Sequence, residues 1–266
     1  MSFIQLLLFG LVSFSASVAG AICGVGGGVI IKPVLDLFGW ASVSSISFLS
    51  GCTVLSMSCY SVTRNILSRE SKVKFSTGTP LAIGAALGGV TGKQLFSAIK
   101  SASPDPNQVG GVQAACLMLV TLGTLLYTLN KSSIQTKNIS GAVPCVSIGL
   151  VLGILSSFLG IGGGPINLVV LFYFFSMDTK TAAQNSLYII LFSQIASLFT
   201  TLATRSVPDF EIAALALMVL GGICGGMAGR ALNKKLTARA VDKLFVALMA
   251  VIVLICVYNT WRYLFA

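Results

Sequence analysis

The chain has 266 residues, of which 55% are hydrophobic, 9% are charged and 28 are glycine. Water-soluble domains carry about a quarter of their residues as charges, so this composition excludes a soluble globular protein, a disordered chain, collagen and a secreted disulfide scaffold. The mean hydropathy of +0.94 and apolar runs of roughly twenty residues, enough to cross a ~30 Å hydrocarbon core, describe an integral membrane protein.

The excess of 17 Lys and Arg over 7 Asp and Glu gives a net charge of +10. Most of these bases flank apolar segments, where they set topology. No basic stripe with interleaved aromatics accompanies them, so nucleic acid is not an expected partner. The seven cysteines include no C-x-x-C pair, and histidine is absent. No cofactor or metal is expected from this set.

In chain order, Phe3–Cys23 is the first apolar segment. It lacks the positive n-region of a signal peptide and is expected to be structural. It runs into the turn Gly24-Val25-Gly26-Gly27-Gly28, and a short arm, Val29–Phe38, leaves that turn. Three longer segments follow at 41–63, 76–98 and 109–129. A polar linker, Asn130–Gly141, leads to the same series again: Val143–Leu159, the turn Gly160-Ile161-Gly162-Gly163-Gly164, the arm Ile166–Phe175, and segments 181–204, 210–231 and 241–261. Arms of this length suit half-helices better than full crossings.

Two glycine patterns set the register of a duplication. The triple-glycine turns are 136 residues apart, and Gly84-x3-Gly88-Gly89-x2-Gly92-Lys93 recurs 137 residues on as Gly221-x3-Gly225-Gly226-x2-Gly229-Arg230. The sequence thus predicts a first repeat at 1–130, a cytoplasmic linker at 131–141 and a second repeat at 142–266, all one membrane domain. If each glycine hairpin returns to its own side, twelve basic residues share one face and five (Lys32, Lys93, Lys100, Arg205 and Arg262) take the other. That split satisfies the positive-inside rule, whereas counting each hairpin as a single crossing evens it out. The expected architecture is all-α, with two inverted-topology repeats, each a glycine-centred helical hairpin plus three transmembrane helices, and both termini on the outer face of the cell membrane.

The candidate binding residues follow from this plan. Gly26, Gly27 and Gly28, with Gly162, Gly163, Gly164 and Pro165, place backbone N–H groups at the start of half-helices, an anion site made from partial charge. Tight helix packing is the competing reading. Neutral donors inside apolar segments join them: Gln184, Asn185 and Ser186 after the second hairpin, with Gln194 and Ser197; Asn167 beside it; and Ser47 and Ser50 in the first half. Interhelical hydrogen bonding is their alternative. Lys32 either pairs with Asp36 one turn on or brings a full charge to the anion. The four-residue glycine spacing marks a packing face, and Lys93 and Arg230 at its ends are either solvated charges or a gate.

All seven acids fall at segment ends or in loops, so no carboxylate marks a midplane cation site. An anion leaving a negative interior gains about 2.3 kcal/mol per charge per 100 mV, so efflux needs no coupling ion.

The paired hairpins, the Asn185-Ser186 pair and the Gly-Gly-x-x-Gly-basic helix ends at Lys93 and Arg230 resemble the sulfite exporter TauE/SafE family of membrane transporters. The resemblance spans nearly the whole chain. Its motifs map to Gly26–Gly28, Gly162–Pro165 and Asn185-Ser186; the first half departs from them at Val29, opposite Pro165, and at Ile46-Ser47, opposite Asn185-Ser186. It implies transport of a small sulfur-containing anion such as sulfite or an organosulfonate. The expected activity is non-enzymatic export by alternating access, one half rocking against the other. Cation-coupled import of an organic anion and a membrane thiol enzyme acting through Cys23 or Cys52 are the alternatives. The expected partners are that anion and the lipid bilayer, with a homodimer left open.

Overall fold

The helix boundaries follow caps and glycines that stand in the sequence. The computed structural model describes residues 2–69, 71–103 and 106–265. Glu70 and Asp105, two of the acids assigned to loops, lie outside them. Among the described residues the chain forms ten α-helices and one 3-10 turn, with no strand. The first five are α1 (Phe3–Cys23), α2 (Gly28–Phe38), α3 (Val43–Leu67), α4 (Phe75–Ala102) and α5 (Pro106–Asn130). The second five are α6 (Ala142–Leu159), α7 (Pro165–Phe175), α8 (Thr179–Ala203), α9 (Ile212–Lys235) and α10 (Ala238–Phe265).

Ser2 and Gln5 form a capping box that starts α1, and Gly24 ends it in the left-handed region. Ser42 caps α3 through the Ser45 N–H, and Asp178 caps α8 through those of Lys180 and Thr181. Asp178 lies outside the helices: partial burial raises its carboxyl, but hydrogen bonds from Thr181 and Lys180 and the nearby Lys72 charge outweigh this and hold it below the usual range.

Seven helices, α1, α3, α5, α6, α8, α9 and α10, are long and apolar enough to cross a membrane. Helix α4 is also long enough at 28 residues. Glycine, serine and threonine dilute its hydropathy, and it packs against α6 and α8. Large apolar side chains on the outer surface, such as Leu119, Val151, Phe199 and Leu254, are more than half exposed, which suits a lipid-facing wall. The interior gathers around the two short arms, where Val25, Val29, Leu159, Ile161 and Leu168 are all nearly inaccessible.

Helix directions can be read from which residues meet. Along α4, Gly84, Gly88 and Gly92 meet Val146, Leu150 and Ile154 of α6 in rising order, so the two run parallel. Gly221, Gly225 and Gly229 of α9 climb α1 in the same way, past Gly10, Phe14 and Val18. These are packing faces: a Cβ at Gly84 or Gly88 would overlap a backbone carbonyl of the partner helix. By contrast, Gly51 of α3 faces Gln194, while Lys72 just beyond α3 meets Gln184, so α3 and α8 run antiparallel. Helices α5 and α10 are antiparallel as well, joined at one end by Gly110 against Tyr263 and at the other by Lys131 with Asp242.

The linker lies along the end of α7, with the Lys137 and Ile139 N–H groups donating to the Tyr173 and Phe174 carbonyls at 2.7 and 2.8 Å. At Asp242 one carboxylate oxygen takes the Lys131 ammonium at 2.6 Å and the other the Thr179 hydroxyl at 3.0 Å.

Because the α4–α6 contact leaves no room for a methyl group, Gly88→Ala is expected to destabilise the protein by about 1–3 kcal/mol. Gly123→Ala has only open space around it and is expected to be neutral or stabilising by up to ~1 kcal/mol. Thermal unfolding of both variants in detergent checks the pair.

Candidate functional site

Each short arm begins at a glycine turn buried inside the protein. In the first turn Gly24 and Gly26 take φ of 78° and 73°; in the second Gly160, Gly162 and Gly163 take 65°, 70° and 140°. L-residues rarely occupy this region, and the turns need it to reverse the chain between α1 and α2 and between α6 and α7. Pro165 stands at the first position of α7, where its missing N–H costs nothing. Among the described residues, no hydrogen bond engages the N–H groups of Gly26, Gly27, Gly162, Gly163 or Gly164.

The turns meet. A Cβ at Gly28 would overlap the Ile161 carbonyl oxygen and would stand 3.0 Å from the Ser50 hydroxyl. Val54 and Ile190, both inaccessible, pack on Gly26, Val54 also on Gly162 and Ile190 on Gly163. Gly24 abuts Ala183 and Gly160 abuts Ser47. These two contacts and the caps Ser42 and Asp178 share the 136-residue offset of the turns. The structure therefore sets Leu49-Ser50, not Ile46-Ser47, opposite Asn185-Ser186. The sequence pairing is three residues out because it matched polar residues, and the helix caps fix the register. Ser50 and Ser186 are both fully buried, and neither hydroxyl has a partner among the described residues.

The other candidates divide into three groups. Lys32 pairs with Asp36 at 2.9 Å, both side chains nearly inaccessible, and its Cε lies 3.4 Å from where a Cβ on Gly160 would stand. Asp36 is thus at a helix end, as expected, but not in solvent, and its Oδ1 has no partner among the described residues. Asn167 is buried on a tightly packed face with Ser156 and Ser193. Gln184 and Asn185 hold the loop between α3 and α4: the Lys72 N–H donates to Gln184 Oε1 at 2.7 Å and the Lys74 N–H to Asn185 Oδ1 at 3.1 Å. Asn185 Nδ2 returns bonds to the Lys72 and Thr181 carbonyls.

Two cationic chambers open at opposite ends of α3. One, about 330 Å³, is bounded by Lys72, Lys180, Arg230 and Lys234, and its described lining includes Ala21 and Ala183, with no carboxylate among the described residues. Arg230 donates to Asn65 Oδ1 at 2.6 Å and to the Ser68 hydroxyl at 2.7 Å, bridging α9 to the end of α3. The other chamber, about 370 Å³, carries Lys93 and Lys100, with no carboxylate among its described lining residues; Lys100 also lines an adjoining opening of about 750 Å³ that holds Asp209 and Glu211. Lys93, whose ammonium sits 5.7 Å from the centre of the Phe96 ring, and Phe96 also wall a much smaller cavity of about 20 Å³ that reaches Ser47, Gly160 and Gly162. Residues that sequence reasoning missed line this inner cavity: Gln113, Ser156 and Ser157. The only signals were one amide in the apolar run of α5 and two serines just before the second turn. All seven cysteines are free, and Cys23 is buried in the apolar core.

Loss of the Asn185 amide removes two hydrogen bonds from a partly buried loop, at Lys72 and Lys74, and one to Thr181 of its own helix. Asn185→Ala is expected to loosen residues 71–74 by about 1–3 kcal/mol, raising the rate of tryptic cleavage after Lys72 or Lys74 about tenfold or more in limited proteolysis, with α-helix content unchanged.

Comparison with known proteins gives a consistent result. The chain is 24% identical over 263 residues to the probable membrane transporter protein YunE of Bacillus subtilis (strain 168), an alignment covering 91% of this chain and 92% of that one. No solved structure matches it. The family model for the sulfite exporter TauE/SafE proteins matches residues 9–255, and a chain matched over nearly its whole length, with its paired glycine turns at the centre, belongs to that family of membrane transporters.

Proposed function

We propose that this protein exports a small sulfur-containing oxyanion, sulfite or an organosulfonate, across the cell membrane by alternating access. The observation that carries this reading is the pair of cationic chambers at opposite ends of α3, with no carboxylate among their described lining residues; one reaches Ala183 beside the first glycine turn, and the other is parted by Lys93 and Phe96 from the inner cavity at the second. Like-signed charge in a low-dielectric cleft concentrates counter-ions and speeds their entry. A chamber of about 330 Å³ admits a compact anion. Beyond the chambers the residues at the turns are mostly neutral donors, which hold an oxyanion without trapping it.

The antiparallel runs of α3 with α8 and of α5 with α10, helices at equivalent places in the two halves, support inverted repeats. The Lys72, Lys180, Arg230 and Lys234 end then faces the cytoplasm, and both termini face outward. In this conformation the path between the chambers is closed by Val54 and Ile190 at the turns and by Lys93 over Phe96. Alternating access moves that closure from one end to the other.

One observation favours a second reading. In the buried Lys32–Asp36 pair, whose lysine stands beside the second turn, one carboxylate oxygen has no partner among the described residues, and a buried carboxylate of this kind can carry a proton. Proton-coupled uptake would use it.

Efflux from sulfite-loaded proteoliposomes distinguishes the two. Export is expected to accelerate when the interior is made negative, without any pH gradient. Lys72→Gln with Lys180→Gln is expected to lower the initial rate about tenfold at low salt, and less at high salt because screening removes the steering. Flux that needs an imposed proton gradient would select the second reading, and no sulfite flux under either condition would overturn both.

A further inference from the structure

The inner cavity beside the second glycine turn is built differently from the two cationic chambers. Its hydrogen-bonding residues come from five helices and line a space of about 20 Å³, room for about one water-sized group. The hydroxyls of Ser47, Ser156 and Ser157 line it, each at least nine-tenths buried and with no hydrogen-bond partner among the described residues. Gln113, 1% exposed, donates its Nε2 to the Phe158 carbonyl at 2.5 Å. That bond settles the orientation of the amide, since only the NH₂ end can donate to a carbonyl. Its Oε1 is left as a buried acceptor with no partner.

A buried acceptor without a partner costs about 1–3 kcal/mol, and so does a hydroxyl left unpaired. Three hydroxyls can donate to the oxygens of an oxyanion. Gln113 Oε1 can do nothing for a fully deprotonated one; it needs a donor. The charges agree. Lys93 is the one titratable group among the lining residues. Lys32, behind Gly160, is paired with Asp36, and α5, α6 and α8 bring no charge to the lining. Cys52 of α3 and Lys100, in the outer chamber, lie within electrostatic reach of Lys93 but outside this lining. One cation matches one negative charge.

We infer that this cavity is the selective site of the transport path and that it takes a singly charged oxyanion that still carries an O–H, hydrogen sulfite rather than the sulfite dianion or a sulfonate, with Gln113 accepting that proton's hydrogen bond. This rests on the transport reading above and sharpens its substrate class. Lys93 and Phe96, which wall both this cavity and the 370 Å³ chamber, part to admit the ion, and the cavity widens around it.

Equilibrium binding to the purified full-length protein, with sulfite and methanesulfonate as probes, tests the inference. Methanesulfonate has the same charge as hydrogen sulfite and no O–H. Wild-type protein is expected to bind hydrogen sulfite at least about tenfold more tightly than methanesulfonate. As pH rises past the second ionisation of sulfurous acid, apparent sulfite affinity is expected to fall about tenfold per unit, tracking the singly protonated species, while methanesulfonate binding stays level. That control also separates the effect from any change at Lys93, which both probes need. Gln113→Met is expected to bring the two affinities within about threefold of one another. Because that variant also loses the bond to Phe158, the wild-type pH series stands as an independent measurement. Sulfite affinity that is flat or rising with pH, or equal wild-type affinities for the two probes, would overturn the protonated-anion site while leaving sulfite transport intact. Absence of binding and of flux for both probes would remove the transport reading and this inference together.

Discussion

Lipid offers no hydrogen bonds, so a chain that breaks its helices inside a bilayer must cover the exposed backbone with its own atoms or a cavity of its own making. The architecture follows from that requirement at two places at once. Each triple-glycine turn reverses the chain where N–H groups have no helical partner, and each is covered mainly by elements of the opposite half: Gly28 sits against the Ile161 carbonyl, Gly24 against Ala183 and Gly160 against Ser47. Glycine is needed here for approach as much as for dihedral angle. At Gly28 a single added carbon would separate the two turns that shield one another.

The same constraint explains the polar chemistry around the turns. Serine hydroxyls and amides can bond a solute there without the cost of a buried charge. Among the described residues one ion pair is buried, Lys32 with Asp36, its lysine beside the second turn, and Leu168 stands where a second lysine would be. Gly20 in α1 corresponds to Ser156 in α6 by the same offset. The halves share a scaffold and differ in chemistry, and the hydroxyl-rich side is the one that carries the inner cavity.

Much of the scaffold was legible in the sequence. Left-handed glycines and capping residues end helices for local reasons, so the bounds of α1, α2, α6 and α7 fall within a residue of those predicted from the apolar runs. The glycine spacing was legible as a packing face because close helix contact at Gly84, Gly88, Gly225 and Gly229 tolerates nothing larger than glycine. The site was less so. Asn185 reads as a ligand donor because an amide in an apolar helix is expensive, yet here it fastens the loop at Lys72 and Lys74. Gln113 carries the same signal and faces a cavity. Nothing local distinguishes them, since the difference lies in which distant backbone each amide reaches.

Crosswise packing has a mechanical consequence. Helix α4 is keyed through its glycines to α6, and α9 to α1, so the fourth helix of each half is bonded by shape to the first helix of the other. The tightest helix pairs are therefore mixed ones, and any motion that the proposed transport requires is expected to carry α4 with α6 and α9 with α1, each pair drawing on both sequence halves.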